Sequence, residues 1–135
     1  MYQFDKNTPF GKNLHYFAKW TVISVLIGLV TGLVGTVFGH AVLWVSSYFR
    51  NNPWTILFLP VCGLLITGIY HILKEEKNRG TNMVIESIHS GTEITFGTAP
   101  AVFLGTLLTH ISGGSSGREG AALQLGGSIG NQIGK

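Results

Sequence analysis

Between Trp20 and Phe49 the chain runs for thirty residues without an Asp, Glu, Lys or Arg. As a single helix this stretch is about 45 Å long at 1.5 Å per residue. That exceeds the roughly 30 Å hydrocarbon core of a bilayer, so such a helix tilts or protrudes. Trp20 at one end and Trp44 and Tyr48 at the other stand where interfacial aromatic belts belong. Only 11% of the chain is charged, whereas a soluble domain usually carries about a quarter. The fold class that follows is an all-α, polytopic membrane protein.

The remaining segments read in order around that run. Residues 1–19 hold Asp5, Lys6, Lys12, Lys19 and Pro9, which suggests a cytoplasmic tail lying on the membrane as a short amphipathic helix. The membrane domain then occupies 20–135, with helices expected at about 20–49, 54–73, 82–90, 94–112 and 119–134. Arg50-Asn51-Asn52-Pro53 marks a turn, and Pro60 is expected to kink the second helix. Lys74, Lys77 and Arg79 match the three lysines of the tail, against Arg50 alone in the turn. By the positive-inside rule both flanks are cytoplasmic, so the N-terminus is cytoplasmic and the first two spans form a hairpin in the cell membrane. No cleavable signal peptide is apparent, and the first span is expected to direct insertion.

Small residues suggest where helices meet. Gly28 and Gly32, Gly35 and Gly39, and Gly126 and Gly130 each fit a small-xxx-small packing pair. His40 inside the long run is read as a packing histidine, and Cys62 as a small buried apolar residue. Glu86 and His89 are spaced i, i+3, too few ligands for a metal, and read as a solvated helix face. No metal or cofactor is implied, and the scattered basic residues offer no nucleic-acid patch.

The chemistry concentrates in Gly113-Gly114-Ser115-Ser116-Gly117-Arg118-Glu119-Gly120, between two uncharged apolar segments. Ionisable groups there are costly and mark a functional site. A glycine-rich break at membrane depth is tolerated where it is buried in protein or lines a wet cavity. A helix starting near Glu119 turns its positive dipole end and free N–H groups toward the break, which suits an anion. Ser115 and Ser116 add hydroxyl donors. Such a site carries no full positive charge, as an ion that must leave again requires. Glu119, itself an anion, can occupy the position when charged and vacate it when protonated.

Gly117-Arg118-Glu119-Gly120, with Gln124-Leu125-Gly126-Gly127-Ser128-Ile129-Gly130 behind it, resembles the signature of CLC chloride channels and proton-coupled anion antiporters. The resemblance extends from about Trp20 onward. It implies tilted and broken helices forming the first half of an inverted-repeat fold, with transport of halide anions and protons across the lipid bilayer. It implies that Glu119 is the gating glutamate and that backbone groups around Gly117, Arg118, Gly120 and Ala121 bind the anion, with a homodimer for the full-length protein. Ala121 stands where that family has proline. Gly80-Thr81-Asn82-Met83-Val84 replaces the usual G-S-G-I-P, so Thr81 is the candidate hydroxyl donor to the ion. Both departures are similar to the fluoride-exporting branch. Because that fold has two halves, the chain is expected to be an N-terminal piece of a longer product.

Two rivals have their own signals. Gly114-Ser115-Ser116-Gly117 matches the G-x-S-G motif of intramembrane serine proteases, but their base is a histidine from a later helix and none follows His110. A membrane scaffold whose glycines serve only packing predicts no effect of Glu119 on ion flux.

Overall fold

The computed structural model describes residues 9–77, 80–91 and 94–134, with the side chains of 9–13 and 88 excepted. Among the described residues every regular element is helical: α1 (Pro9–Asn51), a 3-10 turn (Pro53–Phe58), α2 (Leu59–Ile72), α3 (Thr81–Ser90), α4 (Thr98–Ile111) and α5 (Arg118–Ile133).

α1 starts earlier than the uncharged run suggests. Residues 9–19, expected as a separate interfacial piece, continue the same 43-residue helix; residues 1–8 of that tail lie outside the described residues. Pro9 suits a first helical turn because it has no N–H to lose. Lysines near a membrane helix end keep their stems on apolar surface and their ammonium groups in water, so Lys19 does not end the helix. Pro53 does, two residues beyond Asn51.

The expected kinked helix over 54–73 is instead a 3-10 turn followed by α2. Pro60 sits in the first turn of α2, where its missing donor costs nothing, so the helix starts there rather than bending. Thr55 Oγ1 lies 3.0 Å from the Ile111 carbonyl and ties this turn to the end of α4. α2 closes with a left-handed residue, Lys74 at φ 59°. The Lys74 N–H donates to the His71 carbonyl at 3.1 Å and the Glu75 N–H to the Tyr70 carbonyl at 2.8 Å, a Schellman closure.

α4 lies at the centre, touched by α1, α2 and α5, while α3 packs on α5. Phe38 and Val42 of α1, Val102 of α4, and Ala121 and Leu125 of α5 form the core. The Phe38 and Phe103 rings meet at 5.6 Å. Two segments, Leu14–Asn51 and Pro53–Ile72, are long and apolar enough to cross a membrane, and only 6% of the apolar window of either is buried inside the chain. A soluble core helix would be mostly covered; Leu29, Leu33, Val37, Leu57 and Leu64 are instead bare. α4 and α5 are short, at 14 and 16 residues, or about 21 and 24 Å, and they meet at the glycine-rich break.

The connection entering α4 is latched on both sides. Asn131 Nδ2 and Gln132 Nε2 donate to the Ile94 carbonyl at 3.1 and 3.2 Å, and Ser128 Oγ donates to the Thr95 carbonyl at 3.2 Å. On the other side Thr98 Oγ1 donates to Glu75 Oε2 at 3.0 Å. Glu75 is only 5% exposed, although its neighbours suggest a solvated charge cluster.

The glycine stripe of α1 meets no neighbour among the described residues. A Cβ at Gly28, Gly32, Gly35 or Gly39 would meet nothing within 4 Å. At Gly126 it would lie 3.4 Å from Thr31 and at Gly130 3.9 Å from Ile27, so α5 sits on the seam one residue before each glycine. His40, read as a packing histidine, is exposed. Cys62 is buried and free.

Candidate anion site at the start of α5

α4 ends in a second Schellman closure. Gly113 takes φ 80°, its N–H donates to the His110 carbonyl at 3.2 Å, and the Gly114 N–H donates to the Thr109 carbonyl at 2.8 Å. A side chain at Gly113 would run into the ring of Phe49. Glycine is therefore required twice over, for φ and for space. The chain then passes through Ser115 and Ser116 to Gly117, extended at φ −65°, ψ 120°, which caps α5 without a side-chain bond.

Arg118, Glu119 and Gly120 form the first turn of α5, where N–H groups have no partner within the helix. Ala121 differs: its N–H is 3.5 Å from the Gly117 carbonyl, and its side chain joins the core. It shapes the wall rather than offering a donor.

α3 begins beside this turn. Gly80 at φ 68° admits the chain to Thr81, the first residue of α3. A Cβ at Gly120 would lie 3.2 Å from Cγ2 of Thr81, so the bare Gly120 backbone lets the two helix starts touch. Residues thirty-nine apart in sequence thus sit together.

Two cavities of about 350 Å³ flank the first turn of α5. One is walled by Ile66 and Tyr70 of α2, Thr106 and Thr109 of α4, and Ser116, Gly117, Gly120 and Ala121. The other is walled by Ser46, Phe49 and Arg50 of α1, His110, and Arg118. Arg118 therefore turns away from the hydroxyl-lined side; among the described residues it makes no ion pair with Glu119. His110 Nδ1 donates to the Thr106 carbonyl at 2.8 Å. Glu119 is exposed and lines neither cavity, and Ser115 is exposed while Ser116 is half-buried. Glu86 and His89 are both exposed, and the described residues contain no group of three or more metal-ligating side chains.

Tyr70, Thr106 and the buried Glu75 are the residues the sequence did not single out. Each lies in or beside an apolar helix and is brought inward only by tertiary approach, so no local signal marks it.

Comparison with known proteins points one way. The family model described as voltage gated chloride channel matches residues 68–135. The chain is 34% identical over 121 residues to a chloride/fluoride channel protein of Pseudomonas syringae pv. tomato, covering 89% of this chain and 27% of the relative. It is 27% identical to the H(+)/Cl(-) exchange transporter ClcA of Citrobacter koseri, covering 82% of this chain and 26% of the relative. To the voltage-gated ClC-type chloride channel ClcB of Salmonella typhi it is 25% identical, covering 77% and 29%. The chain spans about a quarter of the length of the first relatives it matches. No solved structure matches it.

Proposed function

The chain belongs to the voltage-gated chloride channel family, an all-helical membrane fold, and we propose that it supplies one wall of the halide site of an anion transporter. One observation carries this reading: the start of α3 and the start of α5 touch through Thr81 and Gly120. Each helix start contributes unpaired N–H groups and the positive end of a dipole. Two such ends side by side stabilise an anion without a full cation, which permits release.

In this reading the ion is held by the Thr81 hydroxyl and by N–H groups of the Gly117–Gly120 turn, to which Arg118 contributes mainly backbone. Glu119 is the gate: ionised, it competes with the halide for the same donors, and protonated, it leaves them. A proton therefore moves with each exchange of gate and ion. Chloride and fluoride are the candidate substrates, and a relative is named for both; the Gly80–Val84 and Ala121 departures lean towards fluoride. The N-terminus is cytoplasmic, the protein crosses the membrane several times, and the complete protein is a homodimer.

The test replaces the matching residues of the Pseudomonas syringae relative with this chain and reconstitutes the chimera in liposomes. A halide gradient should drive proton movement, and Glu119→Gln should abolish it while leaving halide flux. Proton movement that persists at the wild-type rate in Glu119→Gln sinks the gate assignment.

A further inference from the structure

The hydroxyl-lined cavity beside α5 contains a group with unused capacity. Threonines in helices ordinarily donate their hydroxyl to the carbonyl four residues back. Thr21, Thr36, Thr67 and Thr109 all do so, at 2.7–3.0 Å. Thr106 makes no such bond among the described residues, although it is 5% exposed and lines the cavity. Its hydroxyl is therefore available to water or to a ligand in the space that the residue lines. Tyr70 reaches the same space from α2. Its ring lies against Gly105, with Cε2 3.4 Å and the hydroxyl oxygen 3.9 Å from where a Cβ would stand. Ser116 and the Gly117 and Gly120 backbone complete the walls.

We infer that Thr106 and Tyr70 are a second set of donors to the transported ion, closing on it from α4 and α2 and selecting fluoride over chloride. This rests on the proposed halide site and extends it to residues outside the glycine-rich motif. Fluoride is the smaller ion, so donors approach it more closely and gain more, because the attraction scales inversely with distance. It also surrenders a tighter hydration shell, which only additional O–H groups replace. Two hydroxyls free to rotate onto the ion supply that replacement; an apolar wall of the same shape does not. Chloride, larger and less tightly hydrated, depends less on them.

The experiment is a titration of sodium fluoride into the purified chimera with the Pseudomonas syringae relative in detergent micelles, read by 19F NMR line broadening, with sodium chloride as competitor. The chimera with the wild-type residues should broaden the fluoride line. Thr106→Val, which keeps the shape, and Tyr70→Phe should each weaken fluoride binding by about tenfold, the scale of one hydrogen bond to an ion. Chloride competition should change by far less, and Thr106→Ser should restore fluoride binding. Absence of binding by that chimera, or Thr106→Val behaving as wild type, overturns the inference. Equal loss for both ions, with helicity by circular dichroism reduced, overturns it as well, since that is a packing effect. Proton-coupled flux that depends on Glu119 but shows no fluoride-specific loss at Thr106 sinks this inference and leaves the transport reading standing.

Discussion

The two cavities beside α5 have equal volumes, about 350 Å³ each, and opposite chemistry. One is walled by Tyr70, Thr106, Thr109 and Ser116, neutral groups with O–H donors. The other carries Arg50, Arg118 and His110. Arg50 and Arg118 are exposed, whereas Thr106 is buried. The two arginines thus stay at the accessible edge, where water screens them and their burial cost is small. The hydroxyl-lined side offers dipoles and hydroxyls, which bind an ion weakly enough to let it go. Guanidinium groups draw any anion from a distance and distinguish poorly between halides. Short-range O–H donors distinguish well and attract only at contact. On the proposed halide site, the pairing would give capture to one side of the turn and selection to the other.

Substitutions on each side should separate those roles. The largest effect belongs where both sides depend on the same contact. Gly120→Val places two methyl groups beyond a Cβ already 3.2 Å from Thr81 and drives α3 from α5. Fluoride binding measured by 19F NMR should weaken on the order of a hundredfold through overpacking. Gly113→Ala should come next. It forces an alanine to φ 80° against the Phe49 ring, which costs about 2 kcal/mol, read as lowered stability to chemical unfolding in mixed micelles. Thr106→Val follows at about tenfold for fluoride alone. The smallest effect is expected from Arg50→Gln with Arg118→Gln. Halide uptake by the reconstituted chimera should fall by about two- to threefold at low ionic strength, equally for chloride and fluoride. It should return to wild type as salt screens the field. A change in selectivity from the arginine pair, or in salt dependence from Thr106→Val, would break the division of labour.

The sequence exposes these regions unequally. The break from Gly113 to Gly120 is legible because glycines and an Arg-Glu pair stand out in an uncharged background. The start of α5 at Arg118 follows from it, one residue before the position that the motif suggests. The touch of Thr81 on Gly120 is not legible from local pattern, because it arises where α3 packs on α5. Thr106 and Tyr70 look like ordinary members of apolar helices. The α1 glycines lie off the seam used among the described residues for a geometric reason: that seam runs through Ile27, Thr31 and Phe38. One residue further on is about 100° around the helix, which turns Gly28, Gly32 and Gly39 away from α5 and α4. Pro60 misleads because its register in the first turn of α2 depends on the 3-10 turn before it. Glu75 is hidden among charged neighbours, and its burial and its bond to Thr98 show that it belongs to the interior.

The central claim is that the first turn of α5, met by Thr81, is where a halide binds on its way across the membrane. Halide efflux from liposomes carrying the chimera, followed with chloride and fluoride electrodes side by side, tests it most directly. The account predicts efflux of at least one of the two ions, with fluoride the more sensitive to Thr106→Val and both lost in Gly120→Val. Efflux of neither ion from a folded chimera, or efflux indifferent to Gly120→Val, contradicts it.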